Sequence, residues 1–226
     1  SALSDVYNFS AYSQQGSETY YSGSGSLSGA TSPMGIVVRQ SNGSKVWTVD
    51  NDKDDIIQWD TSNFADTTPT YSYAVDISSQ TGGCRDLAIP SPGNYIYVCD
   101  DSQVFRYNLS SAYNLNFLTS HSQTYSTGTS SVSGIDFNDD GTQFVVVRSN
   151  SNQIRVYTLS TAYDLSTASN TANYTLSDGP SSGASAVRFK DSGKRLFILT
   201  TSDVIYEWSM TTGYDIATIS FVGSTS

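Results

Sequence analysis

Apolar and polar residues alternate in short runs along this chain, and the runs come in pairs joined by a turn that contains glycine. In each pair the first run alternates, as a strand with one buried face does, and the second run is more continuously apolar. The pattern predicts four β-hairpins, whose strands we call a and b. Their turns are SNGSK around Gly43, SPGNY around Gly93, DDGTQ around Gly141 and DSGKR around Gly193, with spacings of 50, 48 and 52 residues.

A third and a fourth strand follow each hairpin before the next repeat begins. The third strand, c, carries an aromatic residue near its end and leads into a turn that contains Tyr or Phe, and the fourth strand, d, is rich in Ser, Thr and Tyr. Four antiparallel strands in about 50 residues are the size of one β-propeller blade, whereas a β-sandwich would not need a constant period. Helical periodicity is not evident, so we expect helices to be nearly absent.

The repeat therefore predicts an all-β fold, a β-propeller of four full four-stranded blades plus an N-terminal half blade, or about five blades, in one domain over 1–226. The half blade is expected at 1–33, because Tyr7 and Asn8 fit the register of Tyr107 and Asn108 on a strand c. The full blades are expected at 34–83, 84–131, 132–183 and 184–226.

In a closed ring of five blades the two ends of the chain would both supply a fourth strand, d. One a–b hairpin would be missing. Three outcomes stay open: a ring with one thin blade, a piece of a longer ring, or a subunit whose unpaired edge a neighbouring chain completes by strand exchange.

Composition excludes two classes of partner. Eleven Lys and Arg against 21 Asp and Glu give a net charge of −10, so phosphate backbones are repelled and nucleic-acid binding is not expected. No stretch approaches the ~18 apolar residues of a membrane span, so membrane insertion is not expected either. Ser and Thr make up about 29% of the chain, and 16 residues are Tyr. This composition is typical of an exported β protein, and we expect an extracellular, cell-surface or virion-surface location.

The phrase VYTLSTAYDLSTAS at 156–169, with DDGTQFVVV at 139–147, resembles a group of β-propeller repeat proteins from marine bacteria and their phages. That group has a turn D-G-x-x followed by three apolar residues, and the phrase Y-x-L-S-T-A-Y-D-L-S-T-A. The resemblance covers residues 35–226 in four copies and the half copy before them. Trp59-Asp60 also resembles the Trp-Asp repeat, in one blade only. The resemblance implies a secreted, cell-surface or virion-associated propeller and says little about activity.

The two cysteines, Cys84 and Cys99, lie on opposite strands of the hairpin that turns at Gly93. Aligned on the turn glycine, the next blade has Val132 and Val147 at these positions, so the pair occupies a core site. In an oxidising compartment the two could form a cross-hairpin disulfide. The alternative is two buried free thiols that fill the space of Val and Leu.

The densest acidic run is VDNDKDDI at 49–56, in the loop between strands b and c of the first blade. Asp50, Asp52 and Asp54 alternate as the ligands of a hard cation do, and Ca²⁺ binds such oxygens. The run lacks the Gly and the Glu that an EF-hand loop has at its sixth and twelfth places. A solvated acidic loop without a cofactor is the default interpretation, and a weak Ca²⁺ site is the alternative.

Two aromatic positions recur in every blade. A ring of aromatics could stack on sugars, but residues that recur at one strand position are expected to pack between blades. We expect the second set, in the turn after strand c, to pin that connection, and the Asp that follows it in two blades, Asp164 and Asp215, to accept local backbone N–H groups. The strand-c set is Trp59, Tyr107, Tyr157 and Trp208, and the turn set is Phe64, Tyr113, Tyr163 and Tyr214.

Four N-x-[ST] sequons occur, at Asn8, Asn42, Asn108 and Asn173. A sequon is used only where it lies on the surface of an exported protein. With 13 Asn residues and about 29% Ser and Thr, about four sequons are expected by chance, so their number indicates nothing about glycosylation.

Groupings of catalytic residues are not evident in the sequence. His121 is the single histidine, and no nucleophile elbow, metal-ligand motif, phosphate-binding glycine loop or nucleotide fingerprint accompanies it. We therefore expect a non-enzymatic surface module, either a structural subunit of an extracellular or virion assembly or its adhesion element, with self-association as the main interaction. A secreted carbohydrate-binding propeller is the alternative, and a glycosidase with acids from different blades is a weaker third.

Overall fold

The computed structural model describes residues 32–39, 44–62 and 70–225. Within them, four sheets of four strands follow one another, and each sheet uses strands that are consecutive in the chain. The first two sheets are β1 (Pro33–Val38), β2 (Lys45–Asp50), β3 (Asp55–Asp60), β4 (Thr70–Asp76), and β5 (Asp86–Ala88), β6 (Tyr95–Cys99), β7 (Gln103–Leu109), β8 (Leu118–Ser126). The last two are β9 (Val132–Phe137), β10 (Gln143–Arg148), β11 (Gln153–Leu159), β12 (Ala168–Thr175), and β13 (Ala184–Lys190), β14 (Arg195–Thr200), β15 (Ile205–Met210), β16 (Ile219–Thr225).

The four sheets are the blades of a β-propeller, which confirms the predicted fold class and its four full blades. Neighbouring strands within each sheet are antiparallel, and the first strands of successive blades contact one another along the axis. Each sheet falls within its predicted segment, except that β1 begins one residue early, at Pro33. The predicted half blade at 1–33 lies outside the described residues apart from Ser32 and Pro33.

Three apolar clusters hold successive blades together, one at each interface between the first and second, second and third, and third and fourth blades. In the two middle blades the second strand has a neighbouring sheet on each face, and β10 is accordingly buried along its central residues. The fourth strands lie at the rim, and β12 and β16 keep most of their side chains exposed. Strands that are covered on both faces therefore read as continuous apolar runs, and strands with one exposed face alternate between apolar and polar residues.

The same irregularities recur in every blade. The pairing of strands c and d shifts register beside the recurring aromatic in all four sheets, as in a β-bulge. In the last three blades the c–d connection is one turn of 3-10 helix, and no longer helix occurs among the described residues. Asp164 and Asp215 cap two of these turns by accepting the N–H of the residue two places on, as predicted. No helix in the described part of the chain is long and apolar enough to cross a membrane.

Candidate functional site

The inner strands meet at the axis, where one arginine joins all four blades. Arg188, on β13, forms a bidentate ion pair with the buried carboxylate of Asp86 on β5, and both N···O distances are 2.8 Å. The guanidinium also donates to the carbonyl oxygens of Ile36 on β1, at 2.9 Å, and Ile135 on β9, at 3.0 Å. Asp86 in turn accepts the backbone N–H groups of Leu87 and Ile135. Because donors and acceptors are matched, removal of either partner would leave an uncompensated buried charge on the axis.

Two more ionisable residues lie beside this pair. The half-buried Asp136 accepts the backbone N–H of Phe189 at 2.7 Å. Loss of solvent raises the pKa of Asp136 to about 6, although Arg188 and the backbone donors oppose the change. Loss of solvent also lowers the pKa of Lys190. The chemistry of the axis is therefore the pairing of opposite charges between inner strands.

A cleft of about 470 Å³ opens between the third and fourth blades, at the end of the propeller where the a–b and c–d turns emerge. Val156 and Ala172 of the third blade line one side of this cleft, and Tyr214, Asp215 and Ile216 of the fourth blade line the other. The lining provides the apolar side chains of Val156, Ala172 and Ile216, the carboxylate of Asp215 and polar backbone groups. These are the components of a binding site for a polar ligand.

The acidic loop at 49–56 is organised by hydrogen bonds to its own backbone. Asp50 is fully buried, and its carboxylate accepts the N–H groups of Asp52 and Lys53 at 3.0 Å and of Ser32 at 3.1 Å. Asp54 accepts the N–H of Cys84 at 3.3 Å. No group of three His, Cys, Asp or Glu side chains in the described residues is arranged to hold a metal ion, so the Ca²⁺ alternative finds no support here.

The cysteines are two buried free thiols, which corrects the disulfide alternative. The register places Asp86, not Cys84, opposite Cys99. Cys84 packs in the cluster against the first blade and donates to the carbonyl oxygen of Asp50, whereas Cys99 packs in the cluster against the third blade. Burial raises the pKa of the Cys84 thiol to about 12 and that of the Cys99 thiol well above its usual range.

The recurring aromatics of strand c belong to the core, as predicted, because each is at most 4% exposed. Tyr157, for example, stacks on Phe144 with the ring centroids 4.6 Å apart, and its hydroxyl donates to the carbonyl oxygen of Thr127. The described turn tyrosines are half-buried, and Phe64 lies outside the described residues. The single histidine, His121, is exposed on β8 and contacts Thr124 within the same strand.

The two sequons within the described residues lie on strands. Asn173 is exposed on β12, and Asn108 is half-buried on β7, where its side-chain oxygen accepts the hydroxyl of Ser122 at 3.1 Å. Asn8 and Asn42 lie outside the described residues. Glycosylation stays a prediction at all four positions.

Sequence reasoning missed the charge pair on the axis. The inner strands RDLAI, SGIDF and SAVRF read as alternating apolar strands, and their charged residues were not singled out. The available signal was that each of these three inner strands contains a charged residue among its apolar ones. Opposite charges at Asp86 and Arg188 are what such a position requires.

The comparisons with known proteins support the fold alone. No protein-family model and no curated protein matches the chain. A crystal structure from Lactobacillus plantarum has a TM-score of 0.55 at 17% identity and covers 86% of this chain and 57% of its own. A structure from Bacteroides fragilis named "putative 6-phosphogluconolactonase" has a TM-score of 0.53 at 11% identity, and the match covers 85% of this chain and 70% of that one. A structure of the same name from Bacteroides uniformis has a TM-score of 0.55 at 16% identity, and the match covers 85% of this chain and 57% of that one. The chain thus spans little more than half of the first of these structures.

Proposed function

We propose that this chain is a non-catalytic structural module of a secreted, cell-surface or virion-surface assembly. The observation that carries the proposal is apolar exposure on both sides of the position where the ring closes. Ile36, on the first blade, is 56% exposed, and Leu199, on the fourth blade, is 41% exposed. Both lie on the sheet faces that do not pack against a neighbouring described blade.

The alternation of the strands explains why these side chains point outward. Ile198 belongs to the cluster between the third and fourth blades, so Leu199, one residue further along β14, faces the other way. On β1, Val37 packs toward the second blade and Ile36 faces away from it. We take these two exposed apolar side chains, on either side of the position where the ring closes, as part of the surface that a partner covers.

The occupant that we propose is a second copy of this chain. The sequence of 1–33 predicts strands c and d without an a–b hairpin, and a half blade of this kind would carry an edge that strand addition completes. The net charge of −10 opposes self-association through long-range repulsion. Raising the ionic strength screens that repulsion and is expected to strengthen the association.

The charge pair at the axis supports the non-catalytic part of the proposal. Arg188 and Asp86 satisfy each other's charges, and Arg188 also donates to a carbonyl oxygen of the first blade, so both side chains are engaged in contacts between inner strands. Two structural neighbours carry the name of a lactonase, at identities that show the fold alone. Hydrolysis of a sugar lactone or a glycoside by the purified chain would contradict this part.

Sedimentation across a range of concentrations and salt tests the assembly. The full chain is expected to associate, and Leu199→Glu to weaken association at least about tenfold, because a charge would be buried at the contact. Phe117→Glu is the matched control: Phe117 is 46% exposed, on the c–d turn of the second blade, and this variant is expected to associate like the parent. The proposal is contradicted if the full chain is a monomer at every concentration, or if both variants lose association equally. Binding of a defined glycan by an isolated ring also contradicts it.

A further inference from the structure

A glutamine side chain bridges each of the first two blade interfaces at the c–d turn of the following blade. Gln58 of the first blade accepts the N–H of Leu115 at 2.8 Å. Gln123 of the second blade accepts the N–H of Leu165 at 2.9 Å and donates from Nε2 to the carboxylate of Asp164 at 2.6 Å. A carboxamide thus satisfies the same backbone group at both interfaces.

The third interface has the same turn and lacks the glutamine. The register pairs Arg106 with Gln123 in the second blade and Val156 with Ala172 in the third, so Ala172 stands where Gln123 would be. Val156 likewise takes the place of Gln58, since both precede the recurring aromatic of strand c. These two smaller side chains leave the cleft of about 470 Å³ described above.

The turn that faces this cleft keeps its hydrogen-bonding groups. Among the described residues no atom accepts a hydrogen bond from the N–H of Ile216, a residue that is 2% exposed. The carboxylate of Asp215 accepts the N–H of Ala217 in its own turn and nothing from the third blade within the described residues. Gln143, which also lines the cleft, donates instead to the carbonyl oxygen of Tyr214 at 2.9 Å. Such a donor pairs with ordered water or with another acceptor, so a ligand in the cleft can accept it in place of water.

We propose that the cleft binds the side-chain carboxamide of a glutamine that is presented by a peptide. The carboxamide oxygen accepts the N–H of Ile216, its NH₂ donates to Asp215, and its methylene groups pack on Val156 and Ala172. This arrangement reproduces from outside the contacts that Gln123 makes from within the chain. The inference concerns a different surface from the assembly proposed above and does not depend on it.

Amide geometry defines which ligands are accepted. The oxygen and one N–H of a primary carboxamide point to the same side, so they can meet an adjacent donor and acceptor together. The N–H and C=O of a trans secondary amide point to opposite sides, which excludes a peptide bond or an acetamido group. A glutamate side chain is also disfavoured, because Asp140 and Asp215 both line the cleft.

Titration of the ¹⁵N-labelled full chain with capped amino acids tests this specificity by NMR. The probes are N-acetyl-glutamine N-methylamide and N-acetyl-glutamate N-methylamide, which share the same two secondary amides. The glutamine probe is expected to shift the Ile216 amide resonance to lower field, and the glutamate probe to bind at least about tenfold more weakly. Equal binding of the two probes, or no shift of Ile216 at saturating glutamine probe, overturns the proposal.

Filling the cleft from within provides the second test. Ala172→Gln is expected to place its carboxamide where Gln123 lies in the preceding interface, to shift the Ile216 resonance without ligand and to reduce probe binding at least about tenfold. Asn173→Gln is the matched control, since Asn173 is the next residue on β12 and faces the other side of the sheet. Undiminished binding by a folded Ala172→Gln variant overturns the proposal, and if that variant does not fold, the contrast between the two probes on the parent chain decides.

Discussion

At the scale of single residues, the turn glycine and the turn tyrosine of a blade form one contact. In the third blade the N–H of Tyr163 donates to the carbonyl oxygen of Gly141 at 2.8 Å, and the tyrosine ring covers the glycine. The second and fourth blades repeat this with Gly93 and Tyr113, and with Gly193 and Tyr214. The two most regular phrases of the repeat therefore recur together because they pack on each other.

Replacement of this glycine is expected to be severe for a steric reason. A Cβ on Gly141, where φ is +70°, would lie 2.1 Å from the Tyr163 ring. We predict that Gly141→Ala lowers the free energy of unfolding by about 3 kcal/mol or more, from backbone strain and overpacking together. Gly128→Ala is the control, because φ is +65° there and nothing lies within 4 Å, so only about 1 kcal/mol should be lost. Thermal and chemical unfolding measure both, and equal losses would rule out the contact as the cause.

At the scale of elements, the strands were predictable because their pattern depends on which faces are covered. The second strands of the two middle blades, β6 and β10, have a neighbouring sheet on each face and read as apolar runs, whereas the rim strands β12 and β16 are so polar that only their place in the repeat predicts them. Two features could not be predicted, the charge pair on the axis and the cleft at the third interface. Both depend on residues far apart in the chain, such as Asp86 and Arg188, that only the closed ring brings together.

Asp136, on the inner strand β9, makes the free energy of unfolding depend on pH. Because burial raises the pKa of Asp136 to about 6 from an ordinary 3.8, the folded state binds its proton more tightly than the unfolded state. That contribution is complete at low pH and is lost as the pH rises through about 6. Relative to Asp136→Asn, the parent should lose about 1–2 kcal/mol of unfolding free energy between about pH 4 and pH 7, since Asp136 keeps some solvent. A constant difference between the two proteins over this range would show that Asp136 does not titrate as stated.

At the scale of the whole molecule, Arg188 is the residue through which the described blades act as one body. Its contacts reach β1, β5 and β9 from β13, while the apolar clusters join only successive blades. A ring held in this way resists separation of its first and fourth blades. Copies that associate through the faces of the first and fourth blades would then do so as rings that are already folded.

Removal of this arginine is expected to destabilise the entire ring. Arg188→Ala leaves the carboxylate of Asp86 buried and unpaired, so the free energy of unfolding should fall by about 3–5 kcal/mol. Combining Arg188→Met with Asp86→Asn should recover part of that loss, because neither position then leaves an unpaired charge. Arg148→Ala, which removes an exposed contact to the carbonyl oxygen of Ser130, serves as the control and should change stability by less than about 1 kcal/mol. A stable Arg188→Ala variant would show that the pair does not hold the blades.

Electron-microscope class averages of the full chain, recorded at the concentration where sedimentation detects association, test the central proposal most directly. The account predicts particles in which propellers contact one another through the faces of their first and fourth blades that carry Ile36 and Leu199. Single, separate propellers at every concentration and salt, or copies joined through the rim of the second and third blades, would contradict it.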